Sequence, residues 1–423
     1  MTGQRGLILA APASGSGKTT LTLGLLRALS RQGIPVRGAK SGPDYIDPAF
    51  HAAACGQPSL NLDAWAMPPE RLRHLASGAG LLIIEGAMGL FDGAPPDGRG
   101  ATADLARLLD LPVVLVVDAA KQSHSVAALV RGFRDHDPAV RVAGVILNRT
   151  GSPRHEAMLR QALAPLGLPV LGCLPRDPAL SLPERHLGLV QAGEHPALSA
   201  FLDHAADAVA AHIEIDALTR LAAPFEARPA PRARKPRRIA VARDAAFSFL
   251  YPHLLRDWQE TGAEVHFFSP LADDPVPEEA DLVYLPGGYP ELHAARLSAA
   301  RTFMQSLRTA AQTTAIYGEC GGYMTLGGSL TDAEGTRHPM AGLLGLATSF
   351  ATRKLHLGYR SLTPLGGPFT TPCRGHEFHY ATTLDAQGTP LWRATDAEGT
   401  DLPDMGLTEG RVSGSFAHII DMT

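Results

Sequence analysis

The sequence is poor in cysteine and in net charge, and each shortage excludes a class of protein. Four cysteines stand among 423 residues, with no CxxC pair and no cluster, so neither a disulfide framework nor a cysteine zinc site is expected. The formal net charge is only −4, which provides no general attraction for nucleic acid or anionic lipid. We therefore expect a reduced, cytoplasmic protein that binds small molecules and neither nucleic acid nor membrane.

Long apolar runs and low-complexity tracts are also missing. No run approaches the roughly 20 apolar residues that a bilayer-spanning helix needs, and 45% hydrophobic with 19% charged residues is an ordinary globular composition. A chain of 423 residues is long enough for two domains with complete cores. The number of subunits stays open, with a homodimer as one candidate.

The sequence does contain a repeated alternation of short apolar runs with helix-like stretches. From Gly6 onward, runs such as GLILAA and PVVLVVDA alternate with stretches such as TLTLGLLRALSRQG, which predicts a parallel sheet with crossover helices. Near Ala223 the pattern gives way to the proline- and arginine-rich stretch APFEARPAPRARKPRR, and it resumes at IAVAR. We predict two α/β domains, 1–222 and 239–423, joined by a linker over 223–238.

A glycine-rich loop follows the first predicted strand and opens a helix. The segment PASGSGKT fits the phosphate-loop pattern GxxxxGK[ST] except that Pro12 stands where the first glycine is expected. Backbone amides and the helix dipole at such a turn hold phosphate oxygens, and the lysine reaches the β- and γ-phosphates. A chance glycine turn is the alternative. The predicted nucleotide contacts of this loop are Gly15, Ser16, Gly17, Lys18, Thr19 and Thr20.

Carboxylates follow two further predicted strands, at the end of a parallel sheet where ligands bind. Lys40 and Asp44 lie in the segment AKSGPDYIDPAFH, and Glu85 ends the strand LLIIE. Magnesium prefers carboxylates, hydroxyls and phosphate oxygens. The predicted Mg²⁺ ligands are therefore Thr19, Asp44 and Glu85, with Lys40 as a further nucleotide contact.

Three other polar residues of this half allow two interpretations each. Asp47 precedes a proline and Asp92 precedes a glycine, so each is either a functional carboxylate or a turn former. Asn148 ends the strand VAGVILN, where an amide is suited to reading the edge of adenine. Capping of the next helix is the equal alternative for this asparagine.

In the second half, a cysteine stands at a glycine-flanked strand end. The segment TTAIYGECGGYM runs from an apolar strand through Cys320 into a helical pattern, and small neighbours permit a strained elbow that presents a nucleophile. A helix N-terminus lowers the pKa of a thiol, so we predict a reactive cysteine here. A buried structural cysteine is the alternative, and it is the interpretation of Cys55, Cys173 and Cys373.

Two more segments complete the predicted thiol site. The segment YLPGGYPE puts Gly287 and Gly288 at another strand end, where backbone amides donate to an oxyanion, and Gly288 and Gly321 are the predicted donors. The terminal GSFAHIID supplies His418 as a base for the thiol. A lone histidine more often satisfies a local hydrogen bond, but the order of the three motifs within one domain favours a catalytic cysteine.

These motifs resemble known families. The second half resembles the flavodoxin-like class I, triad-type glutamine amidotransferases, and the first half resembles the dethiobiotin synthetase-like P-loop group, whose members use ATP to activate a carboxylate. The segments SGPDYIDP, EGAMGLFDG, YLPGGYPEL, GECGGYM and HEFHY are together similar to the cobyrinic acid and hydrogenobyrinic acid a,c-diamide synthases of cobalamin biosynthesis. The resemblance covers the whole chain apart from the linker.

The resemblance implies a ligase that amidates a corrinoid polycarboxylate, with ATP and L-glutamine as co-substrates and Mg²⁺ as cofactor. It implies that Cys320 forms a γ-glutamyl thioester while His418 shuttles the proton. It also places Tyr45, Ile46 and Asp92 in motifs associated with corrinoid binding and acyl-phosphate formation. Ammonia must be kept from protonation between its release and its use, so we expect the two active sites to face each other or to be joined by a channel.

The chain departs from the family pattern at one position and leaves some alternatives open. The usual third triad member is a glutamate two positions after the histidine, where this chain has Ile420, so Asp421 or another carboxylate is expected to orient the imidazole. Basic and aromatic residues at 353–356 and 374–380 are either substrate contacts or a solvated face. The rival functions are a cobyric acid synthase-like amidotransferase and a nucleotide-driven partition or scaffold switch, and the cobalt content of the substrate stays open.

Overall fold

The computed structural model describes residues 4–181, 184–185, 188–226 and 237–422. The chain divides into two compact units, Met1–Pro229 and Ala230–Thr423. This division falls inside the predicted linker, of which residues 227–236 lie outside the described part. Both ends of the predicted linker belong to sheets, because Ala223 and Pro224 pair with the first strand and Arg238 begins a strand of the second unit.

The first unit is built on a largely parallel sheet with the strand order β3-β2-β4-β1-β5-β6-β7. Its strands are β1 (Arg5–Ala10), β2 (Val36–Ser41), β3 (Leu60–Leu62), β4 (Leu81–Glu85), β5 (Val113–Asp118), β6 (Val142–Thr150), β7 (Val170–Pro175), β8 (Glu184–Arg185), β9 (Gly188–Leu189) and β10 (Ala223–Pro224). Its helices are α1 (Lys18–Arg31), α2 (Asp47–Cys55), α3 (Pro69–Ala76), α4 (Thr102–Leu109), α5 (Val126–Asp135), α6 (Pro153–Leu163), α7 (Leu198–His212) and α8 (Ile215–Leu221). The predicted parallel α/β class is confirmed.

Burial on both faces explains the continuous apolar runs of the central strands. In β5 the residues Val113 to Val117 are all fully buried, as expected for a parallel strand covered by helices on both sides. Helix α1 packs so closely on α7 that a side chain at Gly24 would lie 2.6 Å from the carbonyl oxygen of Ala205. The carboxyl ends of β1, β2 and β4 share one edge of the sheet, so the loops that follow them are neighbours.

The second unit has a sheet with the strand order β12-β11-β13-β14-β23-β22-β21-β18-β19-β24. Its strands are β11 (Arg238–Ala242), β12 (Glu264–Phe268), β13 (Leu282–Leu285), β14 (Ala315–Glu319), β15 (Ser329–Thr331), β16 (Arg337–Pro339), β17 (Gly345–Ser349), β18 (His356–Pro364), β19 (Cys373–His379), β20 (Thr382–Gln387), β21 (Thr389–Thr395), β22 (Met405–Glu409), β23 (Val412–Ser415) and β24 (Ala417–Met422). Its helices are α9 (Pro252–Glu260), α10 (Ala294–Ala299), α11 (Arg301–Ala310) and α12 (Gly321–Leu326).

This sheet combines a parallel part with an antiparallel extension. Strands β12, β11, β13, β14 and β23 pair in parallel, as predicted for the second α/β domain. The pairs from β23 through β22, β21, β18 and β19 to β24 are antiparallel, an extension that the sequence analysis did not specify. Because side chains alternate along a strand, Leu285 packs in one buried apolar cluster and Tyr284 in another.

Among the described residues, no helix combines the length and the apolar character that a bilayer crossing requires. The four cysteines of the chain are buried and carry free thiols. The expected absence of a disulfide framework is confirmed.

Candidate active sites

The phosphate loop has the backbone shape that its glycines predict. Gly15 and Gly17 have φ angles of 76° and 87°, a left-handed conformation that glycine adopts without steric cost. At Gly17 space is also limiting, because an added Cβ would lie 2.1 Å from Nδ2 of Asn148. Helix α1 begins directly afterwards at Lys18. Its first-turn amides therefore face the loop, as anion binding requires.

Residues at the end of β6 hold the phosphate loop in place through hydrogen bonds. Asn148 donates from Nδ2 to the carbonyl oxygen of Ser16 at 2.9 Å, and Arg149 donates from Nη1 to that of Gly15 at 2.8 Å. The capping alternative for Asn148 is wrong, because Ser152 is the residue that caps α6. An adenine contact of Asn148 stays a prediction, and the observed contact is with the loop itself.

Lys18 occupies the space between the phosphate loop and the loop after β4. Its Nζ donates to the carbonyl oxygens of Met88 at 2.6 Å and Ala13 at 3.3 Å. Burial, followed by the positive charge of Lys40, lowers the pKa of Lys18 to about 8. The neighbouring hydroxyl of Thr20 donates to the carbonyl oxygen of Leu180. A bound phosphate could take the place of these carbonyl oxygens as the acceptor of the Lys18 amine, close to the loop that follows β1.

A buried ionic network lies behind the loop. Glu85 accepts at Oε1 from Thr19 Oγ1 at 2.6 Å and from Lys40 Nζ at 2.8 Å, and Lys40 also donates to Asp47 at 2.5 Å. Nε2 of His51 lies 2.8 Å from the other oxygen of Glu85. The structure therefore brings together the predicted residues Thr19, Lys40 and Glu85, and adds two residues that were not predicted as ligands or contacts.

Charge pairing outweighs burial at two of these groups. Burial lowers the pKa of Lys40, but Asp47 and Glu85 raise it more, so the net shift is upward. Burial raises the pKa of Glu85, but Lys40 and His51 lower it more, so this carboxyl is held ionised. Burial and the charge of Asp44 raise the pKa of Asp47 to about 8. At neutral pH, Glu85 is therefore the ionised carboxylate of the network, whereas the raised pKa of Asp47 favours its protonated form.

His51 was missed by the sequence analysis, although a signal for it exists. It follows Asp47 by four residues on α2, and that spacing puts two side chains on one face of a helix. Its Nδ1 lies 3.0 Å from Oγ of Ser59. With one ring nitrogen at Ser59 and the other at Glu85, the imidazole has a fixed orientation behind the carboxylate.

The other predicted residues of this half have local partners. Asp44 accepts from the backbone amides of Ile46 and Asp47 in the turn that precedes α2, and Asp92 accepts from the amide of Gly89 at 2.9 Å. Tyr45 and Ile46 are 8% and 7% exposed. The bond of Asp92 to Gly89 is local, as in a turn. Its role as a functional carboxylate stays a prediction, as do the metal and substrate contacts of these residues.

The predicted elbow at Cys320 is present in the second unit. Cys320 lies between β14 and α12 with φ 46° and ψ −101°, a strained conformation for a residue with a side chain. Side chains at the flanking glycines would not fit. An added Cβ at Gly318 would lie 2.7 Å from the carbonyl carbon of Gly322, and one at Gly322 would lie 1.9 Å from the oxygen of Leu285.

The predicted base and nucleophile both lie next to Gly287. An added Cβ at Gly287 would lie 2.3 Å from Cε1 of His418, 3.1 Å from its Nε2 and 3.2 Å from Cβ of Cys320. The amide of Gly321 contacts the thiol, and the amide nitrogen of Gly288 lies 3.1 Å from the Cβ position of Gly321. The proposed nucleophile, base and oxyanion donors are thus close neighbours around Gly287.

The thiol differs from its prediction in acidity. Cys320 is 2% exposed, and burial, followed by the charge of Glu291, raises its pKa although the amide of Gly321 acts in the opposite direction. The predicted lowering of the pKa is wrong for this state, because desolvation of a thiolate outweighs the dipole of a helix as short as α12. The thiol is therefore almost completely shielded from solvent.

The base is neutral as well. His418 is fully buried, and burial, together with the charges of His376 and His379, lowers its pKa to about 3. Phe249 lies against its ring, with ring centroids 6.4 Å apart. Thiol and imidazole are therefore an uncharged pair until a proton moves between them.

A carboxylate near the imidazole comes from an unexpected position. Oε2 of Glu319 lies 3.6 Å from Nδ1 of His418. Ile420, at the position of the family's glutamate, is fully buried and accepts at its carbonyl oxygen from His253. Asp421 instead pairs in register with Arg374 on β19. The carboxylate that lies beside the imidazole therefore belongs to the residue directly before the nucleophile in sequence.

Part of the basic and aromatic segment lies in the interior near His418. Glu377 lies 2.7 Å from Nη2 of Arg360 and 2.9 Å from Nε2 of His379, and it belongs to a group with His356 whose potential ligand atoms lie within 4.8 Å of one another. The guanidinium already neutralises this carboxylate, which disfavours a cation there. The solvated-face alternative is wrong for the buried residues His376, Glu377 and His379.

Comparison with protein families assigns a class to each unit. Residues 7–190 match the CobQ/CobB/MinD/ParA nucleotide binding domain. Residues 238–422 match the CobB/CobQ-like glutamine amidotransferase domain. The chain is therefore a glutamine amidotransferase fused to a nucleotide-binding domain, as predicted.

Curated relatives match along the full length. A hydrogenobyrinate a,c-diamide synthase of Brucella anthropi is 60% identical over 430 residues, covering 99% of this chain and 98% of the relative. Proteins with the same description from Brucella abortus and Rhodobacter capsulatus are 59% and 56% identical, each covering 99% of both chains. The chain belongs to the family of hydrogenobyrinate a,c-diamide synthases, which are amide-forming ligases. The predicted family and enzyme class are confirmed.

Proposed function

We propose that this protein amidates the a and c carboxylates of hydrogenobyrinate, using ATP to activate each carboxylate and L-glutamine as the nitrogen source. The description of relatives at 56–60% identity over the whole chain supports this substrate. The observation that carries the chemistry is the meeting of Cys320 and His418 at Gly287, in a chain that also has a phosphate loop. The cobalt-bearing cobyrinic acid is the competing substrate.

In the first unit, the proposed reaction transfers the γ-phosphoryl group of ATP to a substrate carboxylate. The carboxylate oxygen attacks phosphorus, ADP leaves, and an acyl phosphate forms that ammonia can attack. The amides of Gly15 and Gly17 and the amine of Lys18 would hold the phosphates. Ammonia then forms the amide bond and inorganic phosphate leaves, so each amide uses one ATP and one glutamine.

The residues behind the loop fit a magnesium ion. The hydroxyl of Thr19 and the carboxylate of Glu85 meet at 2.6 Å, and both are hard oxygen ligands of the kind that Mg²⁺ prefers. Thr19 and Glu85 would hold the ion, with Asp44 as the third predicted ligand. Bound Mg²⁺ supplies positive charge that offsets the charge of the phosphates. Lys40 and His51 hold Glu85 in place.

In the second unit, the proposed reaction releases ammonia from glutamine. The thiol proton of Cys320 moves to Nε2 of His418 while sulfur attacks the side-chain amide carbon, and the amides of Gly288 and Gly321 donate to the oxyanion. The imidazolium then gives its proton to the leaving nitrogen, and ammonia departs. Water hydrolyses the γ-glutamyl thioester to glutamate and restores the thiol.

Cys320→Ser separates the two half-reactions. We expect it to lower glutamine-dependent amidation of hydrogenobyrinate by about a thousandfold or more, because a serine hydroxyl is a much weaker nucleophile. Amidation with high concentrations of ammonium salt should stay near the wild-type rate. Cys55→Ser is the matched control, because Cys55 donates only to backbone carbonyl oxygens in the other unit, and a hydroxyl can replace that donor.

Two outcomes would contradict the proposal. A wild-type protein that hydrolyses no glutamine in the presence of ATP and hydrogenobyrinate is not this amidotransferase. A Cys320→Ser variant that loses ammonia-dependent activity as well would show that the two units do not divide the chemistry as proposed. Turnover on metal-free and cobalt-bearing acids side by side, with amides counted by mass spectrometry, decides the substrate and the number of amidations.

A further inference from the structure

We propose that Glu319 is the positioning residue that orients His418 for proton transfer with Cys320. This inference rests on the proposed glutamine hydrolysis and assigns a role that the family's sequence pattern leaves vacant in this chain. Glu319 is the last residue of β14, directly before the nucleophile. Its Oε2 lies 3.6 Å from Nδ1 of His418, and the two residues are 1% and 0% exposed.

The carboxyl group of Glu319 is itself held from two sides. Its Oε1 accepts from the backbone amide of Ile419 at 3.0 Å, and its Oε2 accepts from the hydroxyl of Tyr284 at 2.7 Å. The first bond attaches it to the residue after His418, and the second attaches it to β13. The carboxyl group therefore has one orientation relative to the imidazole.

Sheet topology shows why such a bridge matters. Strand β23 pairs with β14, so that Glu319 lies opposite Ser415, and the amide of Cys320 donates to the carbonyl oxygen of Ser415 at 2.8 Å. Because β24 begins at Ala417, this ladder holds the backbone of the base near the nucleophile. It does not set the direction of the imidazole ring, and the contact of Glu319 with Ile419 and His418 supplies that orientation.

The chemistry of the step requires a negative partner at this place. When the thiol proton reaches Nε2, the buried ring becomes an imidazolium, and burial makes that charge unfavourable. A carboxylate at Nδ1 favours the tautomer with Nε2 free to accept the proton, and it offsets the new charge. The proton goes from sulfur to nitrogen, and Glu319 gains none.

The ionisation of Glu319 gives the role a pH signature. Burial raises its pKa to about 8, while the amide of Ile419 and the hydroxyls of Tyr284 and Tyr317 act in the opposite direction. The charged or titratable groups that interact with it are the two tyrosines on β13 and β14, Cys320 after β14, His418 on β24 and Cys373 on β19. A raised pKa means that the carboxylate form increases as pH rises through that range, so glutaminase activity that depends on it rises there.

Glu319→Gln tests the charge with little change of shape. We expect glutaminase kcat to fall by roughly a hundredfold or more with KM within about threefold, and the rise of activity near the pKa of about 8 to disappear. Tyr284→Phe removes a hydrogen bond from the same carboxyl group but leaves a group that can ionise. Because the hydroxyl of Tyr284 lowers the pKa of Glu319, we expect the rise of glutaminase activity to move to higher pH in this variant, with kcat above that rise within about threefold of wild type. An equal loss of kcat in the two variants at every pH would mean a structural role and would overturn the proposal.

Glu319→Asp and the ammonia reaction complete the test. The shorter aspartate side chain is not isosteric but keeps the charge, so this variant should retain more activity than Glu319→Gln, and equal loss would overturn the role. Wild-type protein that uses ammonia but not glutamine contradicts the proposed glutaminase itself. Wild-type protein that hydrolyses glutamine, with Glu319→Gln equally fast, contradicts only the role of Glu319. Circular dichroism and thermal unfolding show whether each variant is folded.

Discussion

Gly287→Ala should remove glutamine hydrolysis without unfolding the second unit. The added methyl carbon would lie 2.3 Å from Cε1 of His418 and 3.2 Å from Cβ of Cys320. A carbon–carbon separation of about 3.5 Å requires the ring or the backbone to move by roughly 1 Å. The imidazole is fully buried and has Glu319 beside Nδ1, so this movement disturbs the contact that orients it.

The magnitude follows from the displacement. A misplacement of about 1 Å between reacting groups costs on the order of a hundredfold in rate, which corresponds to about 2.7 kcal/mol of transition-state stabilisation. The folded state should lose about 1–3 kcal/mol, the usual effect of overpacking by one carbon. We therefore expect a folded Gly287→Ala protein whose glutaminase kcat is reduced about a hundredfold.

Steady-state glutamine hydrolysis, with ammonia-dependent amidation as the internal reference, measures this effect. Gly328→Ala is the matched control in the same unit, because an added Cβ there would meet only the carbonyl oxygen of Leu346 at 3.7 Å, an ordinary contact. A Gly287→Ala enzyme within about threefold of wild type, or a control that loses as much activity, would refute the geometric reasoning.

Two further predictions concern buried charges. Lys40→Met leaves the buried Glu85 carboxylate without its cation and Asp47 without its hydrogen-bond donor, and it should destabilise the first unit by about 3–5 kcal/mol in urea unfolding. Arg31→Met removes two exposed ion pairs and should cost less than about 1 kcal/mol. Similar losses of stability in the two variants would contradict the burial of Lys40. Burial raises the pKa of Glu377, but His379 and Arg360 lower it more, to about 2. Its carboxylate therefore adds stability above the ordinary pKa of 4.5, and this is lost as pH falls through about 2. Glu377→Gln should weaken the acid dependence of the unfolding midpoint of the second unit, and an unchanged dependence would count against the pairing.

Local backbone geometry explains why the two loops were predictable. At Gly17 and at the glycines around Cys320, a positive φ or a neighbouring atom less than about 3 Å from an added Cβ excludes any side chain. The glycines in the sequence therefore indicate where these turns lie. The same is true of Lys18, because a phosphate loop is one continuous segment. The phosphate loop and the cysteine elbow depend mainly on residues that are close together in the sequence.

The residues that orient the reactive groups were not predictable in the same way. His51 contacts Glu85 across 34 positions of sequence, and Glu319 accepts from an amide 100 positions away. The direction of the pKa shift of Cys320 could not be predicted from the motif either, because it depends mainly on burial of the thiol. The antiparallel extension that carries His418 belongs to the same group of features.

The amino-acid sequence alone determined the family, the two α/β units, the phosphate loop and the cysteine elbow, since each depends on short-range patterns of glycine, charge and apolar residues. Only the tertiary structure decided which carboxylate lies beside His418, how Lys40, Asp47 and Glu85 share charge, and that thiol and imidazole are both neutral at rest. These properties depend on desolvation and on distances between side chains far apart in the chain. A linear pattern contains neither.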